Sequence, residues 1–297
     1  MNRRSFARTL GGAALGTFAV GSSNGLVGAS GKGAPFGLSV MLWTVFQKLP
    51  FEERLEKVAE AGYRQVELTG EFRQWSETDY RNVDRKKHAL GMRFDATSGL
   101  KHGITDPADR PAFLSDLRNM LPVLDRLECP ALIVLAGNRV PGMPHAIQHQ
   151  SCIEGLNRGA ELIEGKNVRL LVENIDPEEN PRYFLTSAAE GFEIIRAVNH
   201  PQVRFLYDFY HEQIAEGNLI EKLEKNIDFT GLVHIADVPG RHEPGTGEID
   251  YKNIFKKLGE LNYGRNAAME YKPTYNPVKS LRTARKMALS EGAKGAV

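Results

Sequence analysis

The sequence predicts the α/β class and, within it, a single (β/α)8 barrel. Short apolar runs of strand length alternate with helix-length amphipathic segments along the chain after residue 30. Eight such runs can be placed, each about one βα unit after the last. None of them leads into a Gly-x-Gly-x-x-Gly turn, which argues against an open doubly wound sheet with a dinucleotide site.

The expected strands are Phe36–Leu42, Gln65–Leu68, Arg93–Ala96, Ala131–Ala136, Arg169–Glu173, Val203–Tyr207, Leu232–Ala236 and Ala267–Glu270. Between the first two, Phe51, Leu55, Val58 and Ala59 mark one helical face, which Gly62 ends in the left-handed position that favours glycine. Asp79–Ala89 reads as a mostly polar helix. Phe113, Leu117, Leu121 and Leu124 line one side of the next. Ala146–Glu164, Ala188–Val198 and Pro277–Leu289 follow the same pattern. Tyr251, Ile254, Phe255, Leu258 and Leu261 form a further amphipathic face, with Asp250 placed to cap it.

Residues 1–29 read differently. They hold Arg3, Arg4 and Arg8, no acid, a Gly/Ala-rich apolar run from Leu10 to Val20, and small residues at Val27–Ala29 suited to cleavage. This describes a signal peptide, and Arg3-Arg4-Ser5-Phe6 matches a twin-arginine signal that exports folded proteins to the periplasm. The expected organisation is therefore a leader at 1–29 and a barrel domain at 30–297; an unprocessed N-terminus would leave the protein cytoplasmic. The formal net charge is +1, and becomes −2 once the three leader arginines are removed. Neither value favours a nucleic-acid or anionic-membrane surface, and no stretch reaches the ~18 apolar residues of a spanning helix. The two cysteines, Cys129 and Cys152, fit no metal spacing and read as core thiols. A homo-oligomer is compatible with this composition.

Four side chains stand at or near the C-terminal ends of four consecutive strands: Glu173, Asp208, His234 and Glu270. Their separations are 35, 26 and 36 residues, one barrel unit each. A barrel brings such strand ends together around its mouth, where its active sites lie. Three carboxylates and an imidazole so close would repel and desolvate one another, and a divalent cation resolves the conflict. Oxygen ligands with one nitrogen suit Mn²⁺, Mg²⁺ or Co²⁺ better than structural zinc. Arg241, in the Pro- and Gly-punctuated loop after the seventh strand, offers a planar fork for a substrate carboxylate. His211 and Lys272 sit three and two residues beyond Asp208 and Glu270 and are further substrate-facing candidates. His242 and Glu243 either close the loop over the substrate or form a solvated turn. Gly245 and Gly247 serve the turn itself. Glu67 and Trp43, at the ends of the second and first strands, face the mouth or belong to the core. Lys101 and His102 are expected to lie away from the ligand.

These residues carry a resemblance. LVENID at 171–176, YDFYH at 207–211, HIADVPGRHEPGTGEIDY at 234–251 and MEYKP at 269–273 resemble the hydroxypyruvate isomerases, members of the xylose isomerase-like TIM barrels. The match is close over residues 170 to 275 and looser over 36 to 135. It implies that Glu173, Asp208 and Glu270 bind the metal, that Glu173 and Glu270 are the catalytic pair, and that Arg241 and His211 face the substrate. Three positions depart from the pattern. His234 stands where these isomerases commonly carry glutamine and the related ketose 3-epimerases carry histidine. Asn174 replaces the usual proline after the strand-five glutamate, and ATSGLKHG at 96–103 differs from the usual third loop.

The expected activity is a metal-dependent isomerisation through an enediolate, with hydroxypyruvate to tartronate semialdehyde as the best single reaction. A ketose or keto-sugar 3-epimerase on the same metal site is the nearest rival, favoured by His234 and by an exported location. A zinc hydrolase of the endonuclease type would want more strand-end histidines and a basic nucleic-acid face. A sugar-binding protein without catalysis would need no cluster of acids around a metal.

Overall fold

Strands buried on both faces need apolar residues at nearly every position, and the eight runs supply them. In the computed structural model, which describes residues 33–295, they form β1 (Gly37–Met41), β2 (Gln65–Leu68), β3 (Arg93–Thr97), β4 (Ala131–Leu135), β5 (Arg169–Glu173), β6 (Val203–Asp208), β7 (Thr230–Ile235) and β8 (Asn266–Met269). Each pairs in parallel with the next and β8 pairs with β1, closing the expected barrel. The leader expected at 1–29 and the boundary after it lie outside the described residues.

Around the barrel run α1 (Phe51–Glu60), α2 (Glu77–Ala89), α3 (Arg110–Leu127), α4 (His145–Ile163), α5 (Ala188–Val198), α6 (Phe209–Ala215), α7 (Leu219–Asn226), α8 (Tyr251–Glu260) and α9 (Pro277–Gly295). Gly62 follows α1 at φ 95°, as its position implied. Helix α2 starts two residues before the expected Asp79, because Ser76 and Asp79 cap it reciprocally. Asp250 caps α8 by accepting from the Asn253 N–H at 3.2 Å. The pair α6–α7 was not anticipated. Each is under three turns long, and the break between them is made by Gly217 and Asn218, both left-handed.

The core has two shells. Met41, Ala96, Ala131, Ile133, Leu171, Leu206, Leu232 and Ala268 fill the barrel's interior, and the larger apolar set lies between strands and helices. Both cysteines belong to the buried core; burial pushes the Cys152 thiol up to about 12 and the Cys129 thiol higher still, which keeps them inert. Register aligns the functional ends: Glu173 pairs with Leu206, and Asp208 with His234. No helix of the described residues is long and apolar enough to cross a membrane.

Candidate metal centre and active site

Glu173 closes β5, Asp208 closes β6, His234 is the penultimate residue of β7, and Glu270 follows β8 directly. All four are buried, and one ligand atom from each lies within 4.8 Å of the others. The convergence expected from the strand spacing is therefore present. His234 Nδ1 sits 2.6 Å from Glu270 Oε2, 3.2 Å from Glu173 Oε1 and 3.9 Å from Asp208 Oδ2.

Two of these atoms, His234 Nδ1 and Glu270 Oε2, are buried with no hydrogen-bond partner among the described residues, since their close approach lacks hydrogen-bond geometry. Glu270 Oε2 is ion-paired with Arg241 Nη2 at 2.9 Å, which leaves His234 Nδ1 as the buried atom without a partner, a costly state. The other ring nitrogen, Nε2, lies 3.0 Å from Glu67 Oε2. With a cation in the cluster, a proton held on Nε2 by Glu67 would leave the Nδ1 lone pair aimed at it, the arrangement by which a carboxylate fixes a metal-ligating histidine; without one, the surrounding acids keep Nδ1 protonated as well. The residues thus fit a divalent cation: three carboxylates and one imidazole, its far nitrogen held by Glu67, offer one ligand atom each within 4.8 Å of one another. Glu67, of undecided role in the sequence, is the histidine's supporting acid. Burial pushes its carboxyl up to about 7, against the pull of the His234 charge.

The electrostatics divide the cluster. Burial would lower the His234 imidazole, but the charges of Glu270 and Glu67 carry it well above its ordinary value. Burial would raise Glu270, yet Arg241 and His234 hold it well below the usual carboxylate range. Asp208 is raised, burial outweighing His211 and Arg241. Trp43 is half-buried at the rim and donates from Nε1 to Glu270 Oε1 at 2.8 Å, so it orients the glutamate as well as walling the mouth.

Arg241 reaches the same acids from the loop after β7. Its Nη2 lies 2.9 Å from Glu270 Oε2 and 3.5 Å from Asp208 Oδ2, and its Nη1 lies 2.6 Å from Glu179 Oε2. The guanidinium stands 5.3 Å from the Trp43 ring centre and 4.9 Å from that of Tyr210. Its backbone is left-handed at φ 58°, a conformation that costs a non-glycine residue. The loop tolerates this because Asp237, fully buried, accepts from the N–H groups of Gly245, Thr246, Gly247 and Ile249 at 2.8 to 3.1 Å. Only glycine fits at 247, where a Cβ would come within 2.0 Å of the Val238 carbonyl oxygen.

The other candidates fall into place around this centre. His211 is buried beside it, with Nδ1 2.6 Å from Asp176 Oδ2 and Nε2 3.5 Å from Asp208 Oδ2. Burial would lower its pKa, but Asp208 and Asp176 lift it to about 9. Lys272 is exposed at the rim with its ammonium 5.4 Å from the Trp43 ring centre, and its backbone N–H donates to the Arg241 carbonyl at 2.7 Å. Glu243 is neither lid nor solvated turn. It is buried and staples the loop to the β8–α9 connection by accepting from the Thr274 N–H at 3.0 Å and its hydroxyl at 2.8 Å. His242 bonds the Lys272 carbonyl at 2.8 Å. His102 pairs with Asp116 at 2.9 Å on the flank of α3, and Lys101 lies exposed beside it. Sequence reasoning missed Asp176, Glu179 and Tyr210. Asp176 lies three residues after Glu173, and that spacing was the available signal.

A family model described as xylose isomerase-like TIM barrel matches residues 55–290. A Danio rerio protein provisionally named hydroxypyruvate isomerase is 30% identical over 269 residues, 85% of this chain and 96% of that one. The 2-oxo-tetronate isomerase of Pectobacterium atrosepticum is 28% identical, over 77% of this chain and 89% of its own. Among solved structures, one titled AP endonuclease, family 2, from Brucella melitensis superposes with a TM-score of 0.75 at 25% identity, covering 84% of this chain and 96% of that one.

Proposed function

Starting from the fact that the chain belongs to the xylose isomerase-like TIM barrel family, we propose that it is a metal-dependent isomerase of small hydroxy-carbonyl acids, with hydroxypyruvate to tartronate semialdehyde as its best-fitting reaction. The observation that carries this reading is the buried quartet Glu173, Asp208, His234 and Glu270, its ligand atoms converging beside an arginine fork. Two relatives are named for isomerisation of hydroxypyruvate and of 2-oxo-tetronate, both carboxylic acids, which supports Arg241 as the carboxylate clamp.

Glu173, Asp208, His234 and Glu270 would hold the cation, of the Mn²⁺, Mg²⁺ or Co²⁺ type. When bound, such an ion polarises the carbonyl and makes the neighbouring C–H more acidic. The chain's own groups do the rest. Isomerising hydroxypyruvate removes a proton from C3 and returns one at C2, while a hydroxyl proton passes between the two oxygens. Glu270, fixed at the rim of the cluster by Trp43 and Arg241, would accept the carbon-bound proton. Glu173, on the facing strand end, is assigned as its partner. Trp43 and Arg241 fix Glu270 so that its approach to the substrate is set in advance. Arg241 would orient the substrate carboxylate, with His211 and Lys272 completing the substrate side.

The test is turnover of metal-loaded protein in D₂O with hydroxypyruvate, 2-oxo-tetronate and a panel of ketoses, followed by NMR. Glu173→Gln and Glu270→Gln are each expected to lose about 10²–10⁴ in kcat; near-native turnover in either would remove the pair from the mechanism. His234 favours a second reading, a ketose 3-epimerase on the same centre. Deuterium entering C3 of a ketose, with no conversion of either acid, would select it.

A further inference from the structure

The far end of the barrel carries a charge arrangement that the acid cluster does not use. Arg169 opens β5, Arg204 is the second residue of β6, and Arg265 directly precedes β8, so all three stand at the N-terminal mouth. All three are half-buried, and none forms an ion pair among the described residues. Arg204 spends Nη1 on the carbonyls of His200 at 2.7 Å and Val203 at 2.8 Å, but its Nε is buried without a partner. Arg265 donates to the Thr230 carbonyl. Arg169 makes no side-chain hydrogen bond among the described residues. Burial lowers the pKa of Arg169 and of Arg204, and their mutual proximity to Arg265 lowers both further.

Arg169 and Arg265 line a cavity of about 150 Å³ together with Asp95, Gly231, Gly264 and Asn266 among others. Asp95 offsets part of the arginines' charge, acting on Arg169 while its carboxylate accepts from Ser39 Oγ at 2.6 Å and Asn266 Nδ2 at 2.9 Å. A Cβ at Gly231 would meet Leu171 Cδ2 at 2.5 Å and Arg204 Cβ at 2.6 Å, so the stem of Arg204 packs directly against this cavity-lining glycine.

Three guanidiniums drawn together out of bulk water, with one carboxylate among the cavity-lining residues, leave an excess of positive charge, which is costly. A cavity lined by two of them, with the third packed against Gly231, is where an anion would remove that cost, and planar forks match oxyanion geometry. We propose that the N-terminal mouth of the barrel is a binding site for a small tetrahedral oxyanion of the phosphate or sulfate type, held by Arg169 and Arg265, with Arg204 adding to the positive charge behind them. It lies at the opposite strand ends from the acid cluster, so its ligand is not the substrate. Bridging the starts of β5 and β8, the anion stabilises the barrel, which is the usual role of this face.

Chelator-treated protein, titrated with sodium phosphate at constant ionic strength made up with chloride, tests this by calorimetry and thermal unfolding. Saturable phosphate binding is expected, with a rise of several degrees in the unfolding midpoint that chloride does not produce. Arg169→Gln removes a side chain that makes no bond of its own, so it should fold; far-UV dichroism and Mn²⁺ binding check that it does. It should weaken phosphate binding at least tenfold and, without phosphate, melt no lower than the parent. Arg241→Gln, at the other mouth, should bind phosphate as the parent does. Glycerol phosphate binding as tightly as free phosphate would assign the site to organic phosphates, and a clear preference for the free ion to inorganic ones. Unchanged affinity in Arg169→Gln, loss of binding in Arg241→Gln, or a non-saturating effect shared by chloride would each overturn the proposal.

Discussion

His234 has two ring nitrogens and two different neighbourhoods, and this division is what a metal-ligating histidine would need. Nδ1 faces three acids, whereas Nε2 faces only Glu67. If Glu67 is lost, the proton on Nε2 loses its acceptor and the ring can turn or change tautomer. Supporting residues of this kind are typically worth 10–100-fold in metal affinity. Glu67→Ala is therefore expected to weaken Mn²⁺ binding by about that factor, measured by calorimetry, while Glu67→Gln, which keeps an acceptor oxygen, loses less. Equal affinities in the parent and Glu67→Ala would remove Glu67 from the metal centre. The four strand-end residues were legible because barrel spacing alone brings them together. Glu67 and Glu179 were not, since their roles depend on partners 167 and 62 residues away in the chain.

The elements differ in how far local sequence determines them. The strands and most helices follow from their own periodicity and caps, whereas the β6–β7 connection does not. Helices α6 and α7 are held to each other by Glu212, which is buried and accepts from Lys222, the Ala188 N–H at 3.1 Å and Asn174 Nδ2 at 3.4 Å. Lys222 also pairs with Glu216 at 2.6 Å. No periodicity announces such a pair; a glutamate four residues after a strand reads as solvent-exposed. Burial pushes the Glu212 carboxyl from about 4.5 to about 7, Lys222 only partly offsetting it. Between those pH values the folded chain holds a proton that the unfolded chain has released, so stability falls as pH rises through the window. The contribution is about 3 kcal/mol at most, from 1.36 kcal/mol per pKa unit. Glu212→Gln should flatten this part of the curve when urea unfolding is followed from pH 4.5 to 8. Parallel curves for parent and variant would show that Glu212 titrates normally. The loop after β7 is similarly non-local: its Gly and Pro residues marked it as a loop, but only the structure shows it wrapped around the Asp237 carboxylate.

At the scale of the whole molecule, the barrel is organised by charge at both ends and by apolar layers between. The acid quartet at one mouth was readable because acids at strand ends interrupt apolar runs. The arginines at the other were not, because an arginine opening a strand looks like an ordinary solvated charge, and only barrel closure turns Arg169, Arg204 and Arg265 inward together. The quartet's ligands come from β5, β6 and β7 and from the residue after β8, so a cation there would tie half the strands to one another. Binding to the folded state alone adds RT ln(1 + [L]/Kd) to stability, about 2.7 kcal/mol at a hundredfold excess over Kd. For a chain of this size that corresponds to a rise of about 5–10 °C in the unfolding midpoint. Chelation should lower the midpoint by that much and Mn²⁺ should restore it. His234→Ala, lacking the one nitrogen ligand, should respond to neither at the same concentrations. The shift should add to the one produced by phosphate, because the two sites share no residue and lie at opposite ends of the strands. A parent protein whose melting ignores both chelator and millimolar Mn²⁺ would rule out a folded-state metal centre, and with it the isomerase assignment built on the quartet.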